Sequence, residues 1–103
     1  MRISILRREI DRIDRQLIRL LSRRARFSLA IGRLKRKAGL PLFHHQRELE
    51  IARNVRRANR GPLSDRAVEY FFQELLRLTR IAVRASLRSE HGSGRKARPR
   101  RRA

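Results

Sequence analysis

Apolar residues recur at Leu6, Ile10, Ile13, Leu17, Leu20, Phe27, Ile31 and Leu34 with the alternating three-and-four spacing of one helix face. That period predicts a first helix from about Ser4 to Ala38, stopped by Gly39 and by Pro41 two positions further on. A second helix is expected from about His44 to Ala58, with Ile51, Ala52, Val55 and Ala58 facing inward. The third starts near Ser64, an N-cap residue followed by Asp65 in the first turn, and carries Val68, Phe71, Phe72, Leu75, Leu76, Ala82, Val83 and Leu87 on its apolar side. Strand signals are absent, so the fold class is all-α: one long, one short and one intermediate helix.

At 1.5 Å per residue these helices are roughly 50, 22 and 37 Å long. Short connections fold them back as antiparallel neighbours, yet the second and third cannot cover the first, and half of its apolar stripe is left facing water. A second copy is the economical cover, which predicts a homodimer with the long helices paired about a two-fold axis.

Polar groups interrupt all three stripes. Arg24 falls where the first helix's period wants an apolar residue between Leu20 and Phe27, and Lys35 lies on the same face roughly 16 Å further along the axis. In the second helix Glu48 is in line with Ala52 and Val55, and Arg47 is one turn before Ile51; in the third, Thr79 sits between Leu75 or Leu76 and Val83. Each has an ordinary explanation. A lone inward Arg snorkels, a Lys near a helix end is common, Arg47 and Glu48 suit an exposed pair, and Thr is tolerated in a core. Together they are costly, because a buried unpaired cation is worth several kcal/mol against folding. An internal site for a small anion accounts for that cost. Arg7, either part of a solvated basic face with Arg8 and Arg12 or part of the site, is roughly 25 Å from Arg24 along one helix. A single ligand reaches both only if Arg7 comes from a partner whose long helix runs antiparallel.

Charge narrows the partner further. Among 103 residues, 29 are Lys or Arg and 9 are Asp or Glu, a net charge of +20 that favours an anionic partner. All but three of the cations (Lys35, Lys37 and Lys96) are Arg, a bias that a GC-rich genome produces unaided. With no cysteine, disulfides, thiolate metal sites and cysteine nucleophiles are excluded. No apolar run has the roughly 18 residues of a membrane span and no signal peptide is evident, so a cytoplasmic protein is expected. Residues 1–88 form the helical domain. Residues 89–103 carry six Arg and Lys residues, with Glu90 as the lone acid, and are expected to be a disordered tail touching nucleic acid only non-specifically.

The segments Leu6-Arg7-Arg8-Glu9-Ile10-Asp11-Arg12-Ile13-Asp14, Leu20-Leu21-Ser22-Arg23-Arg24, Ala30-Ile31-Gly32 followed by Lys35, Gln46-Arg47-Glu48, and Phe72-Gln73-Glu74 with Thr79 resemble the all-helical (AroQ-type) chorismate mutase family. The resemblance implies three helices in an intertwined homodimer and the rearrangement of chorismate, a small dicarboxylate, to prephenate. No metal or cofactor is implied. Catalytic roles carry over to Lys35, donor to the ether oxygen, to Arg24, which holds a carboxylate, and to Glu48, acceptor from the ring hydroxyl. Arg7 from the other subunit, Arg47 and Thr79 complete the substrate contacts.

Two positions depart from the family pattern. Val83 stands where many members have a Gln or Glu donor to the ether oxygen. Actinobacterial members with an apolar residue there are slow alone and are activated by the first shikimate-pathway enzyme, so the resemblance admits such a partner here. His44 stands where several members have Asp near the ring hydroxyl, although His44 and His45 also suit a solvated helix start; adjacent residues diverge by about 100° and make a poor metal pair. A mutase for 4-amino-4-deoxychorismate and an isochorismate pyruvate lyase share the same scaffold, and His44 leaves the substituent at the ring's fourth carbon open. A basic helical nucleic-acid-binding protein is the alternative from another class. It lacks helix-turn-helix spacing and a stacking platform, since Phe27, Phe43, Tyr70, Phe71 and Phe72 mostly follow the apolar faces.

Overall fold

The computed structural model describes residues 2–93 and contains three helices, α1 (Arg2–Ala38), α2 (His45–Ala58) and α3 (Asp65–Ser93). The end of α1 is set by Gly39 at φ 71°, where the Gly39 amide donates to the Arg36 carbonyl at 3.1 Å and the Leu40 amide to the Lys35 carbonyl at 2.8 Å. This is a Schellman cap, and the left-handed residue it needs is what glycine supplies. The expected cap of α3 is present: Ser64 Oγ accepts from the Ala67 amide at 3.1 Å. Between α2 and α3, the Asn59 side chain donates to the Leu63 carbonyl and to Asp65 at 2.9 Å each and accepts from the Gly61 amide at 3.1 Å, closing the turn.

The chain runs up, down and up. Successive positions from Ala25 to Arg36 on α1 meet successive positions from Thr79 to Glu90 on α3, so α1 and α3 are parallel, and α2 runs antiparallel to both. Only the consecutive helices fold back antiparallel, as expected from the short loops. Ion pairs tie the layers: Arg56 to Glu69 at 3.0 Å between α2 and α3, and Arg33 and Arg36 to Glu90 at 2.7 and 3.5 Å between α1 and α3.

These last pairs correct the expected boundary at residue 88. α3 continues through residues 89–93, with Glu90 held against α1, while residues 94–103 of the expected tail lie outside the described residues. The inward faces also differ from expectation. Val55, Val83 and Leu87 are buried, but Phe71, Ala58 and Ala82 are exposed. On α1 the whole apolar stripe is exposed within one chain, from Leu6 at 62% to Leu34 at 67%, and α3 covers a neighbouring face of its C-terminal half instead. The 55 Å long dimension of the molecule is thus that of α1, whose N-terminal half stands uncovered.

Candidate active site

The face of α1 that α3 does cover carries Arg24, Ser28, Gly32 and Lys35, spaced four, four and three apart. Opposite them stand Arg47, Glu48 and Ile51 from α2 and Leu76, Thr79, Arg80 and Val83 from α3, while Leu42, Phe43 and His44 close one end. Seven of the eight residues expected to meet the substrate therefore line one cleft: Arg24, Lys35, His44, Arg47, Glu48, Thr79 and Val83. The eighth, Arg7, is exposed on the free half of α1 and does not reach this chain's own cleft.

The cations in the cleft are gathered against their own repulsion. Arg24 is half-buried, and its guanidinium is held below its ordinary value first by burial and then by the charge of Arg47. Lys35 Nζ donates to the Leu42 carbonyl at 3.3 Å, so the loop created by the α1 cap holds the ammonium over the cleft. That loop is fastened in turn by Phe43, whose ring centroid lies 5.0 Å from the Arg84 guanidinium. Arg47 is exposed and bonds Glu50 at 3.0 Å. His44 is the N-cap residue of α2, but its side chain makes no capping bond.

Thr79 Oγ1 donates to the Leu75 carbonyl at 2.7 Å, so donating to a substrate carboxylate requires giving up that bond. Val83 is 3% exposed and packs under Gly32.

Sequence reasoning missed Arg80 and Ser28. Arg80 forms an ion pair with Glu48, joining α3 to the one carboxylate that lines the cleft among the described residues. Its signal was available, since Leu76, Arg80 and Val83 fall four and three apart and the cation interrupts that face as Arg24 interrupts its own. Four cations, Arg24, Lys35, Arg47 and Arg80, thus surround one carboxylate, a balance that suits a small dianion with a hydrogen-bond donor.

The chorismate mutase type II family model matches residues 6–82. The chain belongs to the chorismate mutase type II family. A structure of chorismate mutase (Form II) from Thermus thermophilus is similar with a TM-score of 0.79 at 36% identity, covering 82% of this chain and 96% of that one. The bifunctional chorismate mutase/prephenate dehydratase of Aquifex aeolicus is 39% identical over 75 residues, which are 69% of this chain and 21% of that protein. An intracellular chorismate mutase of Mycobacterium bovis is 41% identical over 49 residues, 48% of this chain and 47% of that one. The chain thus spans about a fifth of the length of the bifunctional relative. As a chorismate mutase type II chain, it gathers into one cleft Arg24, Lys35, Arg47, Glu48 and Thr79, five of the six residues that the motif resemblance picked out.

Proposed function

We propose that the chain isomerises chorismate to prephenate as a homodimer in the cytoplasm. The observation that carries this reading is the convergence of Arg24, Lys35, Arg47 and Glu48 on one cleft. The reaction is pericyclic: the ether C–O bond breaks as a C–C bond forms, with no covalent intermediate on the protein. Catalysis then consists of holding the dianion in its compact conformer and stabilising the negative charge that grows on the ether oxygen. Arg24 and Arg47 bind carboxylates. Lys35 serves the ether oxygen and Glu48 accepts from the ring hydroxyl.

The exposed stripe of α1 supports the dimer. A two-fold axis near Gln16, midway between Arg7 and Arg24, would set the exposed stripe from Leu6 to Phe27 against its copy and bring Arg7 of the partner subunit toward each cleft. The apolar Val83 leaves Lys35 as the donor to the ether oxygen, which supports slow turnover by the chain alone and stimulation by a shikimate-pathway enzyme. A cytoplasmic setting is supported by the relative named intracellular.

Incubation of the purified chain with chorismate, its 4-amino-4-deoxy analogue and isochorismate tests the reading. Prephenate from chorismate is expected. Pyruvate release from isochorismate, or conversion of the amino analogue alone, would replace it with one of the other activities of the scaffold.

A further inference from the structure

The ion pair between Arg80 and Glu48 has a chemical consequence at the substrate ring. Glu48 is the acceptor assigned to the ring substituent, and its Oε2 atom faces the Arg80 guanidinium, leaving Oε1 for the substrate. Both side chains are about one-third exposed, at 30% and 34%, so the pair sits at the cleft wall rather than in bulk water. Nearby, His44 lines the cleft with a group that is not a carboxylate, and the remaining charged residues of the lining are Arg24, Lys35 and Arg47.

A carboxylate shared with an arginine still accepts a hydrogen bond from a neutral hydroxyl. Its attraction for a cation is largely cancelled by the guanidinium beside it, and an aliphatic amine is an ammonium at pH 7. We propose that Arg80 is a specificity-determining residue, which by pairing with Glu48 makes the cleft select a hydroxyl over an ammonium on the substrate ring. This rests on the placement of the ring substituent against Glu48 given under the proposed function. Removing the guanidinium would leave Glu48 as an unshared carboxylate and turn the same cleft toward the amino substrate.

The test compares the wild-type chain with Arg80→Met and Arg80→Lys, each checked for folding by circular dichroism. Affinities for chorismate and for its 4-amino-4-deoxy analogue are measured by calorimetry, and turnover of both by product analysis. The wild type should prefer chorismate, Arg80→Met should shift the ratio toward the amine by about tenfold, and Arg80→Lys should keep most of the preference. A brace between α2 and α3 with no other role would alter stability and leave the ratio unchanged, and that result overturns the proposal. Should prephenate form while the ratio is unmoved by Arg80→Met, specificity lies elsewhere and the mutase reading stands. If the binding ratio shifts but no prephenate forms, Arg80 keeps its role and the reaction assignment fails. Absence of binding by either compound overturns both.

Discussion

A Cβ placed on Gly32 would lie 2.9 Å from Val83 Cγ1 and 3.4 Å from Leu87 Cδ1, so Gly32 and Val83 set how closely α1 approaches α3. The cleft depends on this contact, because Arg24 and Lys35 flank Gly32 on the same face and Thr79 and Arg80 precede Val83 by about one turn. Gly32→Ala is expected to cost about 1–3 kcal/mol through overpacking, offset in part by alanine's better helix propensity. Denaturant melts at fixed protein concentration measure it. A variant as stable as the wild type would show that the two helices are free to part at this point.

The same contact bears on Val83→Gln. By family resemblance a glutamine here restores a second donor to the ether oxygen, but Val83 is 3% exposed and already wedged against Gly32. The expected result is a loss of about 1–3 kcal/mol in stability, read from the same melts, with any gain in turnover confined to the folded fraction.

Lys35 Nζ donates to the Leu42 carbonyl at the cleft wall, and on the proposed reading it serves the charge that develops on the ether oxygen. Lys35→Ala should lower kcat by about a hundredfold or more, on the order of 3 kcal/mol, and change KM far less, because the interaction strengthens as the ether bond breaks. Steady-state kinetics on the folded variant distinguish this from simple loss of binding. Equal loss in kcat/KM through KM alone would make Lys35 a carboxylate anchor instead.

Arg24, Lys35, Arg47, Glu48 and Thr79 were legible in the sequence because each breaks an otherwise regular apolar period. Arg80 breaks one too, yet its partner could not be read from spacing: Glu48 lies 32 positions away, and only the antiparallel packing of α2 on α3 joins them. The direction of the α1 stripe escapes the sequence for a related reason. Periodicity shows that Phe27, Ile31 and Leu34 share a face, not which body covers it, and within one chain α3 takes the adjacent face through Gly32. The end of α3 lies beyond the expected boundary because the basic run outweighs Glu90 in local reasoning, whereas Glu90 is paired with Arg33 and Arg36 at 57 and 54 positions' separation.

That Glu90 network makes stability depend on acid. The Glu90 carboxyl is held below the usual carboxylate range chiefly by the Arg33 hydrogen bond, against a smaller opposing effect of burial and with help from the charges of Arg33 and Arg36. Since the folded-state value lies below the unfolded one, the contribution is complete above roughly pH 4.3 and is lost as pH falls through the folded-state value. Glu90→Gln should cost about 1 kcal/mol or less at pH 7, the pair being largely solvated, and the gap to the wild type should narrow as the pH is lowered into the acid range. A gap of the same size at neutral and acid pH would mean that the glutamine disturbs packing rather than charge.

Arg7 and Arg24 are too far apart to serve one substrate from one chain, which makes subunit complementation the most direct measurement. Arg7→Ala and Arg24→Ala homodimers should each be nearly inactive, since every site lacks one arginine. After the two are mixed in equal amounts and exchanged, half of the dimers are mixed and each mixed dimer holds one intact site, so about a quarter of wild-type activity should return. No recovery, with exchange verified by native mass spectrometry, would contradict a cleft completed by the partner's Arg7.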